Sequence, residues 1–230
     1  MSVLLILSLA LAQPSPVIAT PAAPAAIEDA RGPLAVRIEA AAELVHAAKP
    51  AAALPILDAV IVDAERLYPV DKGPFYAARS MTETLVYATL GVAAKKGTTV
   101  LNSDWATAYF LKGFALIDLG RADEAKPWFD KAIALSPMNS QFLGERGEWH
   151  KSRKDWANAL VDFEAAQRAA AFSPDDAKVR EEGRALRGIA FVKVEQGDFR
   201  GAEKLLKQAL KLDRSDPIAR RELDFVRSRK

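Results

Sequence analysis

Residues 125–132, Ala-Lys-Pro-Trp-Phe-Asp-Lys-Ala, contain the spacing that decides the fold. Ala125, Phe129 and Ala132 are separated by steps of four and three, so they lie on one face of an α-helix. The same order returns 34 residues later, at Ala159, Phe163 and Ala166. A period of this length indicates one pair of helices that is used several times.

A third copy of the pattern follows 43 residues further on, at Ala202, Leu206 and Ala209. The nine extra residues precede it, where Ser173 and Pro174 have the composition of a helix start. We therefore expect a long helix over about 175–195 whose first two and a half turns extend beyond the stack. These turns either pack on an irregular neighbour or offer a ledge to a binding partner.

The order Tyr109-x2-Lys112-Gly113-x2-Leu116, followed by Ala125-x3-Phe129 and closed by Pro137, resembles the tetratricopeptide repeat. The chain departs from the family at its first helix, with Tyr, Lys and Leu where Trp, Leu and Tyr are usual. The resemblance implies an all-α, right-handed α-solenoid of helical hairpins. It also implies that the first helix of each hairpin lines a concave groove for another protein.

The domain organisation follows from this pattern. We expect residues 104–230 to form three repeats and a capping helix that begins after Asp216-Pro217. Residues 34–98 are predicted to pack with them in one domain, as a degenerate hairpin followed by a long helix. The long helix is predicted to begin at Gly73-Pro74 and to end near Gly97, because its apolar residues follow a helical period. These apolar residues are Phe75, Ala78, Met81, Leu85 and Leu90.

The N-terminal residues resemble a targeting segment. Residues 3–12 are an apolar run too short to cross a membrane, and Ala10-Leu11-Ala12 fits a cleavage site. We therefore expect residues 1–12 to be a signal peptide, or an uncleaved anchor, of an exported periplasmic or secreted protein. Residues 13–33 are rich in Pro and Ala and are expected to be a disordered linker.

The composition argues against a catalytic or nucleic-acid-binding function. The chain has no cysteine and two histidines, and neither a Gly-x-Ser-x-Gly elbow nor a glycine-rich phosphate loop is present. With 32 basic and 30 acidic residues, the net charge of +2 lacks the basic excess of a nucleic-acid-binding protein. We expect no catalytic residue, cofactor, metal site or nucleic-acid partner.

The candidate partner groove follows from comparing the three first helices. The first is apolar almost all round, the second is polar, and the third offers arginines, so we expect a groove that runs from apolar to charged. The alternative for the apolar stripe is burial by the long 74–96 helix. The predicted groove residues are Phe110, Phe114, Ile117, Gln141, Glu148, Lys151, Arg184 and Arg187.

The predicted function is a non-catalytic scaffold or adaptor of the cell envelope that binds a peptide or helix of a partner protein. Two alternatives stay open at this point. One is a ligand-binding or regulatory subunit of an envelope enzyme complex, which an enclosed pocket with convergent polar groups would favour. The other is a self-assembling structural protein joined through exposed end helices.

Overall fold

The computed structural model describes residues 33–93 and 97–229. The predicted signal peptide, and the predicted linker up to residue 32, lie outside the described residues. Ten α-helices and two short strands form within the described part. The helices are α1 (Pro33–His46), α2 (Pro50–Leu67), α3 (Met81–Ala93), α4 (Asp104–Asp118), α5 (Lys126–Leu135), α6 (Ser140–Ser152), α7 (Trp156–Ala169), α8 (Asp175–Glu195), α9 (Phe199–Leu212) and α10 (Pro217–Ser228), and the strands are β1 (Phe75–Ala78) and β2 (Thr99–Asn102).

The repeated residues form the centres of successive helical hairpins, which confirms the predicted all-α solenoid. The hairpins α4–α5, α6–α7 and α8–α9 follow one another, and α7 also packs on α8. Phe129 and Phe163 are fully buried. A Cβ at Gly113 would lie 2.7 Å from the Phe129 ring, so only glycine allows this close approach.

Phe163 is shared between two hairpins. A Cβ at Gly147 on α6 would lie 2.8 Å from its ring, and a Cβ at Gly188 on α8 would lie 2.6 Å from it. The ring therefore fills space between the first helices of two successive units. This arrangement explains a glycine in the middle of each helix, where glycine otherwise costs about 1 kcal/mol relative to alanine.

The first hairpin, α1–α2, extends the same core toward the N-terminus. Both helices pack against α4, and Ile38 and Leu57 join the buried cluster that contains Phe129. The hydroxyl of Tyr109 donates a hydrogen bond of 2.6 Å to Glu65, which links α4 to α2.

The predicted long helix from Gly73-Pro74 to Gly97 is wrong. Residues 75–78 form β1, which pairs in parallel with β2 in a two-stranded sheet, with Phe75 opposite Thr99. The helix in between, α3, begins only at Met81, because the Ser80 hydroxyl accepts a hydrogen bond from the Glu83 N–H at 3.0 Å and caps it. The Ser136 hydroxyl donates to the Ala77 carbonyl at 2.6 Å and fixes β1 on the repeats.

The long third-repeat helix has the predicted bounds, and its first turns pack on the β1–α3 segment. Arg79 reaches Glu181 of α8 at 2.8 Å, and the Ser80 hydroxyl donates to the Phe172 carbonyl at 2.9 Å. Of the two interpretations of this extension, the structure therefore shows the packed one at Glu181.

Candidate functional site

The apolar part of the predicted groove lies in the protein core. The Phe110 ring stacks on Phe142 with its centroid 4.7 Å away, and Phe110 is buried. Phe114 and Ile117 are half-buried and pack against the same cluster. Helices α1 and α2 and strand β1 pack against α4, and the Phe110 ring also lies 6.0 Å from that of Phe129 on α5, so Phe110 does not line an open groove.

Gln141 and Arg184 come together at a narrow cleft between α6 and α8. Its volume is about 60 Å³, enough for only a few water molecules. Arg184 donates a hydrogen bond of 2.6 Å to Glu145 across it, so the guanidinium already has a partner. In this part of the predicted groove, α6 and α8 are joined by the Arg184–Glu145 pair, and little space is left for a partner.

The other predicted charges hold neighbouring helices together. Lys151 pairs with Glu148, and its Nζ lies 4.8 Å from the centroid of the Phe191 ring on α8. Arg187 pairs with Asp216. Asp216 also caps α10, because it accepts from the backbone N–H groups of residues 218 and 219.

A larger cleft opens between α8 and α10, which we call the C-terminal cleft. It has a volume of about 380 Å³. Phe191 and Phe225 remain substantially exposed beside it. Its lining consists of Ala190, Phe191, Val194, Glu195, Leu206, Arg221, Glu222, Phe225 and Val226.

The charges at this cleft have both signs. Burial raises the pKa of Glu222, and the positive charges of Arg187, Lys151 and Arg221 oppose that rise. The apolar surface is therefore bordered by the half-buried Glu222, the exposed Glu195 and Arg221, with Arg187 and Lys151 close enough to act on Glu222. Such a site suits an apolar side chain that is flanked by polar groups.

Comparison with protein-family models matches residues 106–139 to the tetratricopeptide repeat. Residues 106–139 thus match one tetratricopeptide repeat. Cellulose synthase operon protein C of Escherichia coli (strain K12) is 28% identical over 116 residues, which are 47% of this chain and 10% of that protein. The chain thus spans about a tenth of the length of this relative.

Two solved structures share the fold. The structure from the functional characterization of Pseudomonas aeruginosa PilF has a TM-score of 0.60 at 14% identity, and the match covers 85% of this chain and 68% of that chain. The MamA RS-1 ArsTM double mutant has a TM-score of 0.55 at 17% identity, with 89% and 86% covered. At these identities the similarity shows the fold alone.

The two aromatic residues of the C-terminal cleft give the sequence signal that our prediction missed. In a tetratricopeptide repeat the buried positions follow the small–large–small pattern, and Phe191 lies outside it, directly after Ala190. Phe225 lies in the helix that the sequence predicts to cap the stack. In the structure α10 also forms one wall of the cleft beside α8.

Within 33–93 and 97–229, no three His, Asp or Glu side chains are arranged to hold a metal ion. Nδ1 of His150 lies 2.9 Å from Asp155, at the turn between α6 and α7, where the pair joins the two helices of one repeat. Among the same residues, no helix is both long and apolar enough to cross a membrane.

Proposed function

We propose that this tetratricopeptide-repeat protein is a non-catalytic adaptor that binds a short apolar segment of a partner protein in the C-terminal cleft. The observation that carries the proposal is the exposure of Phe191 and Phe225 on either side of an apolar cleft of about 380 Å³. Large aromatic side chains in such clefts are the usual anchors of protein–protein contacts. The repeat fold supports this proposal, because repeat stacks offer extended binding surfaces.

The form of the cleft supports an adaptor over the ligand-binding alternative. Its floor is apolar, formed by the buried Ala190, Leu206 and Val226, and the charged residues Glu195, Arg221 and Glu222 border it. A small polar ligand would need several polar groups directed at it. A peptide or helix with one or two apolar side chains would match the surface.

The experiment selects peptides from a random library on the purified protein and measures their affinity for two variants. We expect the selected peptides to contain large apolar residues and to bind at least ~10-fold more weakly to Phe225→Asp, because burying an unpaired carboxylate costs over 1.4 kcal/mol. Val161→Asp is the matched control, since Val161 is 62% exposed on α7. Equal affinities for the two variants would contradict the proposed site.

Export to the cell envelope stays a prediction that rests on residues 3–12, which lie outside the described residues. N-terminal sequencing of the protein from its natural source tests it. A mature chain that begins near residue 13 is the expected result. An intact Met1 in a cytoplasmic fraction would be the opposite result.

A further inference from the structure

Glu222 is the half-buried charged side chain among the residues that line the C-terminal cleft. Burial raises its pKa above the ordinary value, although three nearby cations act in the opposite direction. Within residues 33–93 and 97–229, no N–H or O–H group donates a hydrogen bond to its carboxyl group. A carboxylate that has lost part of its water without gaining a donor is destabilised in its charged form, so its oxygens remain available to a donor from a ligand.

Two of the three cations near Glu222 are paired elsewhere within the protein. Lys151 forms an ion pair with a glutamate one turn earlier on α6, and Arg187 forms one with Asp216. The third cation, Arg221, is exposed and directly precedes Glu222 on α10. Consecutive side chains on a helix do not face each other, so Arg221 does not cover the carboxyl group. All three cations attract Glu222, but none takes up its capacity to accept hydrogen bonds.

The ends of two helices add negative potential at this cleft. Helix α8 ends at Glu195 and α10 ends at Ser228, and the last turns of both helices line the cleft. The C-terminal end of a helix carries the equivalent of about half a negative charge and favours a cation beside it. The cleft therefore combines two helix C-termini with the carboxyl groups of Glu195 and Glu222.

The two aromatic rings of the cleft already have cations beside them. Nζ of Lys151 lies 4.8 Å from the centroid of the Phe191 ring, and the guanidinium carbon of Arg229 lies 5.1 Å from the centroid of the Phe225 ring. A further cation placed at either ring would meet a like charge. The rings are therefore suited to an apolar side chain, and a positive charge is favoured beside the carboxyl groups instead.

We propose that the partner segment carries a lysine or arginine beside its large apolar side chain, and that this cation pairs with Glu222 while the apolar side chain packs at Phe191 and Phe225. The inference rests on the proposed adaptor function and adds the chemistry of the partner. A segment without a donor would leave the Glu222 carboxyl group desolvated, and an acidic segment would bring a second negative charge against it. A basic residue supplies both the donor and the opposite charge.

Peptides selected from a random library on the purified full chain test this pairing. We expect lysine or arginine to be enriched at the positions directly beside the large apolar residue. Glu222→Gln should weaken the binding of these peptides at least ~5-fold, because an amide of similar size cannot supply the negative charge. Replacing the basic residue of a selected peptide by glutamine should weaken its binding to the natural protein by a similar factor.

The two changes remove the same ion pair, so their effects should not add. On Glu222→Gln, the glutamine-substituted peptide should bind within about 2-fold of its basic parent. Glu182→Gln is the matched control, because Glu182 is also half-buried on α8 but precedes Phe191 by about 14 Å along the helix, beyond the range of screened charges at physiological salt. This control should leave the affinity for the basic peptide unchanged.

The outcomes separate this inference from the proposed function. Selected peptides without an enriched basic residue, or equal effects of Glu222→Gln and Glu182→Gln, would overturn the pairing with Glu222. If Phe225→Asp still weakens the binding of those peptides and Val161→Asp does not, the adaptor function stands without the pairing. Peptides that bind both Asp variants equally well, or a library that yields no binding peptide, would contradict the cleft as the binding site and the pairing together.

Discussion

At the scale of single residues, glycine positions set how closely the helices approach. Gly144 and Gly147 lie on the same helix, α6, and provide a matched pair. Nothing lies within 4 Å of a Cβ at Gly144, whereas a Cβ at Gly147 would lie 2.8 Å from the buried Phe163 ring. The two positions therefore separate helix propensity from packing.

We expect Gly147→Ala to destabilise the protein by about 1–3 kcal/mol, because the added methyl group meets the fully buried ring of Phe163. Gly144→Ala should be neutral or stabilising by up to about 1 kcal/mol, since alanine favours the helix. Urea unfolding followed by circular dichroism gives both values. Equal effects at the two positions would show that Phe163 can move aside.

The contact between Tyr109 and Glu65 makes a pH-dependent contribution. The hydrogen bond from Tyr109 lowers the pKa of Glu65, so the folded state binds the Glu65 proton less readily than the unfolded state does. The resulting stability is fully present above the pKa of Glu65 in the unfolded chain and is lost as the pH falls through the lowered folded-state pKa.

Tyr109→Phe should therefore destabilise the protein near pH 7 by at most about 1 kcal/mol, a modest value because Glu65 is half exposed. The difference from the natural protein should disappear in acid, below the lowered pKa. Thermal melts at several pH values measure this difference. In a Glu65→Gln background the effect of Tyr109→Phe should no longer depend on pH, and a persisting pH dependence would assign it to another group.

At the scale of elements, Ser80 decides where α3 begins. Its hydroxyl caps the helix at Glu83 and also donates to the Phe172 carbonyl. We expect Ser80→Ala to cost about 2 kcal/mol, since it removes a cap and a hydrogen bond. Thr82→Ala, an exposed change in the first turn of α3, should stay within about 0.5 kcal/mol. Chemical denaturation compares the two, and similar losses would argue against the cap.

The same element shows how far the sequence could predict the fold. The repeats were predictable because small and large side chains recur at fixed steps, as at Phe129 and Phe163. The 73–97 segment was mispredicted because its apolar residues also fit a helical period. The sequence Ser80-x-x-Glu83 is a capping pattern that indicates a start at Met81. The pairing of β1 with β2 depends on residues 24 positions apart, which a local pattern does not reveal.

The candidate site was less predictable than the fold. The sequence predicts Phe110 in a groove because its helix is apolar almost all round, but the rings of Phe129 and Phe142 pack against it in the core. The charged residues at positions 148, 151, 184 and 187 lie on α6 and α8, the first helices of their repeats. Each of them forms an ion pair within the protein. The C-terminal cleft arises only when α10 packs beside α8, and helix patterns alone do not give that placement.

At the scale of the whole molecule, Arg79 joins the inserted segment to the third repeat. It pairs with Glu83 and Glu181, both of which are buried, and the Ser173 hydroxyl donates to Glu181 at 2.6 Å. Burial raises the pKa of Glu83. The folded state therefore binds the Glu83 proton more tightly than the unfolded chain does. The contribution of Glu83 to stability is present below its pKa in the unfolded chain and is lost as the pH rises through its raised folded-state pKa.

Arg79→Met should cost about 3–5 kcal/mol near pH 7, because two carboxylates are left without a buried counter-charge. The loss should be smaller at pH 5 than at pH 7, because burial raises the pKa of Glu83 and favours its protonation. Denaturation at the two pH values measures this effect. Adding Glu83→Gln and Glu181→Gln to Arg79→Met should recover part of the stability, whereas no recovery would indicate that the Arg79 side chain acts mainly through packing.

The position of Phe163 between Gly147 and Gly188 has a consequence for how the chain opens. The Phe163 ring is part of the core of two successive hairpins. If either hairpin opens, this ring becomes exposed and the core of the other hairpin loses a packing contact. Amide protons in the middle of α6 and α8 should therefore exchange with solvent at similar free energies, as one cooperative unit.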